Sequence, residues 1–591
     1  MVRAAFAGFS TAFSALQANQ KRLDITGQNL ANMNTIGYTR QQLQTSSLNY
    51  TNPVSHYMSS SEVVVGFGVH MDAVSQIRDP YLDIQYRNQM EKSGYSSALQ
   101  TSFDELSQFL DESHITGIRN AFDDIRSTLN NMTDPSKIHD KVYESELRTR
   151  IQTLTNLLNE GARQINTYKE NEYHKLDGEG NSEQGAIQTV NNILQQIGRL
   201  NRQIKQNEIY GQPSLELKDE RNVLLDELSS YLPIEVTYYK DKEHNGVAAN
   251  GTDEALGEKY YLDSSGNIIM KKEWPDDLRV TMTYTDANGD SQKLVLVEGT
   301  VGTGDDNFGK LAIDAGTGAP PDYSNLKLSF QNCFNAPTTP EDYGNPAVDL
   351  DIGKTATAGK NYPFSSGSGS IQASLDMLWK DGATQGLNDV KGYDYYMNEL
   401  DKLASSFAHV INTINGTLQN GQGGTLIGPN AATGTNWEDM TALDICISQD
   451  WIDGTHSINK SGDNATDIVK FMFEAMNTEF NGKPKNSDLS QKYPNLLTDI
   501  NLEGNTFANY MNHISTVLAN DSYANQISLK TNVTVLNGIQ NSRDSISGVS
   551  LDEEASNMMM YMSAYNAASR LMTTLDQALD VLINSTGVVG R

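Results

Sequence analysis

The 591-residue chain sets 44 Lys and Arg against 74 Asp and Glu, for a formal charge of −30 and a pI near 4.6. That balance excludes nucleic acid, since phosphate contacts need a net basic face and no Lys/Arg cluster supplies one, and it disfavours an anionic membrane surface. Two cysteines, Cys333 and Cys446, make neither a disulfide framework nor a thiolate zinc set, and no stretch approaches the roughly 18 unbroken apolar residues of a membrane span.

The N-terminal segment places Val2, Phe6, Phe9, Phe13, Leu16, Leu23 and Leu30 at steps of three and four, with Gln20 and Gly27 filling the remaining positions. This is the spacing of a coiled-coil seam. Polar residues from Ser10 to Gln20 interrupt it too often for a signal-peptide core. A run rich in asparagine follows, Asn29-Leu30-Ala31-Asn32-Met33-Asn34-Thr35-Ile36-Gly37-Tyr38-Thr39-Arg40, which stops the helix and turns it into an extended segment over 38–43. Val63 to Ile77 alternates around Gly66-Phe67-Gly68 and predicts a short hairpin.

Asp79-Pro80 supplies an N-cap and a first-turn proline for a long helix bearing Leu99, Phe103, Leu106 and Leu110. A second Asp134-Pro135 is expected to open a helix carrying Leu147, Ile151, Leu154, Leu158, Ile165 and Tyr168. A third shows Ile187, Val190, Leu194, Ile197 and Ile204. In the next helix, over 217–228, Asp219 and Arg221 are two apart and cannot face each other, so each is expected to pair with a neighbouring helix. From Pro233 the pattern changes to short strands: 234–239, 260–262, 268–270, 278–285, 293–297 and 326–330, separated by Gly- and Pro-rich turns, one of them Asp286-Ala287-Asn288-Gly289. A Ser/Gly linker over 365–370 closes this insertion.

Helical spacing resumes at Ile371, and Tyr396, Leu400, Leu403, Phe407, Val410 and Ile414 form another long seam, followed by a loop near 421–440 with room for a small lobe. Thr506 is placed to cap a further helix through Phe507, Met511, Ile514, Leu518, Leu529, Leu536, Ile539 and Ile546. Gly548 breaks it, and Ser550 with Glu553 reads as a capping box starting the last helix, Leu551 onward. Its seam runs Met558, Tyr561, Tyr565, Ala568, Met572, Leu575, Leu579 and Leu582. A lone amphipathic helix is marginal in water until its stripe is covered. The two terminal seams are therefore expected to pair, making everything between them an insertion; the alternative is that each packs separately on a globular core.

Catalytic patterns fail. Nine histidines are scattered without metal spacing. Gly304 to Lys310 imitates a phosphate loop, but Leu311 stands where Ser or Thr is required. Asp286-x-Asn288-x-Asp290 begins like a calcium loop, yet Ser291 and Val297 occupy the glycine and bidentate-glutamate positions. The acid pairs Asp123-Asp124 and Asp305-Asp306 read as solvated surface. No catalytic, cofactor or metal residue is assigned, and the chain is not read as an enzyme.

The run from Asn29 to Arg40 resembles the signature of the flagellar axial proteins, the rod, hook and hook-associated family, with Asn29, Asn32, Asn34, Gly37, Tyr38 and Arg40 as its motif. Residues 78–87 and 217–228 are similar to the same family, and Ser547-Gly548-Val549-Ser550-Leu551-Asp552-Glu553-Glu554 resembles its hook-associated branch. The resemblance implies a mainly α, discontinuous multidomain chain with a β insertion: residues 1–35 with 550–591 as a terminal coiled coil in the inner tube, 36–232 with 366–549 as a helical bundle, and 233–365 as a β-rich outer domain. It further implies a structural role joining hook to filament, and passage through the flagellar channel without a cleaved signal peptide. The implied partners are a ring of identical subunits, the hook protein, the next junction protein and an export chaperone. Assembly residues would be Phe6, Phe9, Phe13, Leu16, Leu23 and Leu30 at one end and Leu551, Tyr561, Tyr565, Met572, Leu575, Leu579 and Leu582 at the other. The rival expectations are another axial protein, such as hook or distal rod, and a surface-displayed enzyme or adhesin using the β insertion.

Overall fold

The computed structural model describes residues 2–586 apart from 48–67, 110–111, 179–184, 211, 240–259, 263–267, 271–276, 287–288, 300–307, 317–322, 324, 334–346, 354–363, 365–366, 383–389, 417–421, 430–438, 461–464 and 484–486. Helix α1 (Val2–Ala31) leads to strand β1 (Gln41–Ser47), which pairs antiparallel with β2 (Val69–Gln76), Gln41 opposite Gln76. The partner of residues 69–76 is thus upstream strand β1 rather than the other arm of a local hairpin; residues 63–67 lie outside the described chain. Gly68, at φ +113°, is there for close approach: a Cβ would stand 2.1 Å from Ser14 Oγ of α1.

Helix α2 (Pro80–Phe109) starts at the first Asp-Pro, where the Tyr81 N–H donates to Asp79 Oδ1 at 2.9 Å. The second Asp-Pro does not start a helix. Asp134 instead accepts from the Ser136 N–H in a turn after α3 (Glu112–Met132), and α4 (Lys141–Asp177) begins later, capped by Asp140 accepting from the Val142 N–H. An Asp-Pro pair serves a turn or a cap equally well, and the nearer satisfied N–H decides. Then follow α5 (Ala186–Ile209), α6 (Leu215–Tyr231) and the strands β3 (Ile234–Tyr239), β4 (Tyr260–Leu262), β5 (Ile268–Met270), β6 (Asp277–Thr285), β7 (Ser291–Glu298), β8 (Lys310–Asp314), β9 (Asn325–Gln331) and β10 (Ala347–Gly353). They form two three-stranded antiparallel sheets, β3-β6-β7 and β10-β9-β8, and the small pair β4-β5.

The remaining helices of ten residues or more are α7 (Gly369–Trp379), α8 (Tyr393–Asn415), α9 (Asp467–Met476), α10 (Phe507–Ser547) and α11 (Leu551–Thr586), with three one-turn helices and the short pairs β11 (Ile427–Pro429) to β12 (Ile445–Ile447) and β13 (Phe480–Asn481) to β14 (Asn501–Asn505) between α8 and α10. The architecture is mainly α with a β insertion, as expected.

Two apolar cores hold the body. One lies among α2, α3, α4, α8, α9 and the first third of α10, around the rings of Phe122, Phe407, Phe480 and Phe507. The other joins the end of α4, α5 and α6 to both larger sheets. The core therefore does not divide at Pro233: a three-stranded sheet cannot bury both faces on its own, and α5 and α6 cover one of them. Leu426, Ile427 and Met440 belong to the first core, so the described part of the 421–440 region packs on the bundle. Helix α7 serves both cores, sending Ala373 and Met377 into one and Ile371, Leu375 and Leu378 into the other. Its buried Asp376 is satisfied by Tyr95 (2.8 Å), Gln372 (2.7 Å) and Lys380 (3.2 Å).

On α8, Asp401 accepts from the Ala442 N–H at 2.6 Å, while Asn159 of α4 donates to the carbonyls of Ala442, Leu443 and Ile445. Burial, with Asp444 nearby and the Ala442 hydrogen bond opposing, pushes Asp401 up to about 6. The folded chain then binds this proton more tightly than the unfolded chain, so the group favours folding below pH ~4 and that contribution is lost as pH rises through about 6. Asp401→Asn keeps an acceptor for the Ala442 N–H. It should raise the thermal midpoint at pH 8, removing a penalty on the order of 2 kcal/mol, and leave a smaller midpoint difference between pH 5 and pH 8 than the parent shows.

Candidate functional site

Helices α1 and α11 belong to neither core. They pair antiparallel: a Cβ on Gly8 would touch Leu575 at 3.4 Å, and Arg22 lies over the Tyr561 ring at 5.5 Å. On α11 the inward face carries Met558, Tyr561, Tyr565, Ala568, Met572, Leu575 and Leu579, each more covered than its neighbours on the opposite face, as their spacing predicts. Leu551 and Leu582 point largely outward. On α1 the buried line is instead Ala12, Ala18, Asn19, Ile25, Thr26 and Asn29. Phe9, Leu16, Leu23 and Leu30 flank it half-buried, Phe13 is exposed, and the Phe6 side chain lies outside the described residues. Small α1 residues admit large α11 residues, and α1 must also carry the β1-β2 hairpin, which shifts its covered face off the line of its largest side chains. A groove of about 500 Å³ between these elements is lined by Leu16, Gln20, Leu43, Met71, Val74 and Tyr565.

The residues after α1 form the joint between this pair and the body. Asn29 acts as a surrogate strand: its amide donates to the Gln41 carbonyl and accepts from the Gln41 N–H, both at 3.0 Å, and its oxygen also takes the Tyr38 hydroxyl. Asn32 holds the helix end, donating to the Gln28 carbonyl and accepting from Thr35, whereas Asn34 is exposed. Gly37 adopts φ +78°, and a Cβ there would fall 2.2 Å from Val223 of α6. Burial first, then Glu216, Asp219 and Glu554, push the Tyr38 phenol up to about 12, so it stays a donor.

Thr39 donates its N–H (3.0 Å) and hydroxyl (2.6 Å) to Asp219 of α6. Burial still holds that carboxyl above its ordinary value against the pull of those two bonds. Arg40 is the centre of the joint. Its Nε donates to Glu554 at 2.7 Å and its terminal nitrogen to Glu553 at 3.0 Å, across 514 residues of sequence; its N–H donates to the Ser547 carbonyl and its carbonyl accepts from Ile77. Glu554 is buried. Burial opposes the Arg40 charge, but the two glutamates outweigh it and hold its pKa above the ordinary value. Glu553 is thus engaged by Arg40 rather than closing a capping box, and the Glu554 N–H bonds the Ser550 carbonyl as the first turn of α11.

Below the joint, sequence reading missed a second layer. Arg543 of α10 bridges Asp83 of α2 (3.2 Å) and Asp226 of α6 (2.7 Å) and stacks on Tyr86; Arg87 reaches Asp226 at 2.9 Å, and Arg78 pairs with Asp83 and lies 3.8 Å from Asp219. Three arginines thus meet three aspartates, and the largely buried cluster is close to neutral. Arg221 turns the other way, donating to Asn201 of α5 at 2.8 Å. Among the described residues no group of acids, histidines and cysteines is arranged to hold a metal. The arrangement fixes the angle and register of a helix pair against the body.

Comparison with known proteins gives matches at both ends and between them. Residues 9–39 match the model "Flagella basal body rod protein", 540–585 match "Flagellar basal body rod FlgEFG protein C-terminal", and 103–304 match "Flagellar hook-associated protein FlgK helical domain". The chain is similar to flagellar hook-associated protein 1 of Bacillus subtilis, 26% identical over 99% of both chains, and to its namesake from Salmonella typhimurium, 22% identical over 97% of this chain and 98% of that one. A solved structure, the flagellar hook junction protein FlgK from Burkholderia pseudomallei, aligns with 59% of this chain and 47% of its own at 19% identity, with a TM-score of 0.34.

Two substitutions test the joint. Arg40→Ala leaves Glu554 buried without its cation and should cost about 3 kcal/mol, read as faster amide exchange in α11 with the body unchanged; adding Glu554→Gln should restore part of the loss. Gly37→Ala should destabilise by more than about 1 kcal/mol, and Val223→Ala should rescue it only in part, because it relieves the contact and not the left-handed backbone.

Proposed function

We infer that the chain is a flagellar hook-associated protein, a structural component of the bacterial flagellum at the junction of hook and filament. The observation that carries this reading is a terminal helix pair that stands outside both cores of its own chain yet is fixed rigidly to them. Such a pair is only half covered. Met559, Met562, Leu571, Val581 and Ile583 on α11 and Phe13 on α1 are large apolar side chains left exposed, which a lone soluble protein has reason to hide. Neighbouring axial subunits supply the cover.

In finer detail, identical subunits form a ring, with the hook protein below and the next junction protein above. The terminal helices line the inner tube and order fully on assembly, and an export chaperone covers the α11 seam beforehand. The chain leaves the cell through the flagellar channel as unfolded polypeptide, a route compatible with two free cysteines and no helix long and apolar enough to cross a membrane among the described residues. It is not an enzyme.

Complementation tests the function: expressed in a bacterium lacking its own junction protein, the chain should restore filaments on hooks, seen by electron microscopy, and swimming. Failure there with normal export and normal folding would overturn the reading. Leu575→Asp or Leu579→Asp, each placing a charge in the seam, should abolish attachment to hooks and chaperone binding while the thermal midpoint of the body stays unchanged. Normal motility in either mutant would remove the seam from the assembly surface.

A further inference from the structure

Helices α2 and α10 run antiparallel, as the contacts Asp83 to Arg543, Gln89 to Asn532, Ser96 to Asn525 and Gln100 to Ser522 require. Along α10 the covered residues at seven-residue intervals are Met511, Leu518, Asn525, Asn532 and Ile539. Met511 and Leu518 sit in the apolar core. The two asparagines break the run in its middle, and both hydrogen-bond to α2. Asn525 donates to the Ser96 carbonyl at 2.9 Å and to Gln100 Oε1 at 3.0 Å. Asn532 donates to Ser96 Oγ at 3.0 Å and to the Lys92 carbonyl at 3.3 Å, while Gln89 donates to the Asn532 side-chain and main-chain oxygens, both at 3.1 Å. Small residues make this possible, because Ser93 and Ser96 on α2 let a partner side chain reach main-chain carbonyls.

We propose that the Asn525–Asn532 ladder is a specificity element, which directs α10 to the α2 of its own chain in this register and against the long helices of a second copy. An all-apolar seam would be more stable but indiscriminate; buried amides tie stability to a partner that answers them. The α2 of the same chain does so in the present register. Slid one heptad toward the C-terminus of α2, Asn525 would face Phe103, which is buried and offers no side-chain acceptor. Paired with another α10, the asparagines would meet Leu, Ile or one another in place of Ser96, Gln89 and Gln100. The inference stands on helix packing alone and is independent of the flagellar reading.

The test uses the full-length chain with Asn525→Leu and Asn532→Leu together. Relative to the parent, the variant should have a higher thermal midpoint and should self-associate at least about tenfold more tightly by sedimentation equilibrium, tenfold corresponding to about 1.4 kcal/mol. A cysteine pair at positions 100 and 522 reports register: it should close almost completely within one chain in the parent and lose yield to interchain cross-links in the variant. A variant as monomeric and as cleanly cross-linked as the parent would overturn the proposal. Should the leucines prevent folding, Asn525→Ala with Asn532→Ala removes the amides without adding bulk. It should lower the midpoint and also reduce intrachain cross-linking; a lower midpoint with cross-linking unchanged would overturn it.

Discussion

Everything outside the two cores depends on one cation. Arg40 lies in the few residues between α1 and β1, and it holds two consecutive glutamates at the start of α11, the inner of which is buried. A buried carboxylate without a partner is prohibitive, so Glu554 can occupy its position only while Arg40 does. The same residue uses its main chain to tie the end of α10 to the end of β2. Arg40 thereby ties α11, α10 and β2 to the segment between α1 and β1, and the direction of the terminal helix pair follows from a side chain rather than from a core.

The layer beneath explains why the joint is stiff. Arg543, Arg87 and Arg78 share Asp83, Asp226 and Asp219, so that α2, α6 and α10 are cross-braced directly under the Thr39-Asp219 contact. Charges of both signs in near balance avoid the cost that a single buried charge would carry. Farther along, α7 divides its faces and α4 its length between the two cores, so both helices couple the β-rich region to the bundle, and α7 is buried nearly all round.

The sequence made the architecture legible to the extent that local pattern controlled it. Helical spacing locates most of the long helices but misses α3, and the α11 seam from Met558 to Leu579 coincides with the face that α1 covers. On α1 the same rule misplaced the covered face, since a helix touching both α11 and a hairpin buries small residues where the backbones come close, and hydrophobicity does not mark that line. Strands β8 and β10 escaped notice because each is short and β10 alternates Asp349 and Asp351 with its inward residues. The expectation that Asp219 and Arg221 each pair with a neighbouring helix holds for Arg221, which meets Asn201, and fails for Asp219, whose partner Thr39 lies in an extended segment 180 residues away that no spacing rule reaches. The motif residues Asn29, Gly37 and Arg40 carried their resemblance long before their physical reasons were visible: a surrogate strand, a contact with Val223 and a grip on Glu554.

The joint also imposes an order on folding. Arg40 and Glu554 are 514 residues apart in sequence, and closing so long a loop in a disordered chain costs on the order of 5 kcal/mol before any contact compensates. A folded body removes that cost by bringing the two positions together in advance. The terminal helix pair is therefore the last part of the chain to form and the first to open. A registered pair signals that both cores are complete, and a subunit with an unfinished body has no means of presenting one.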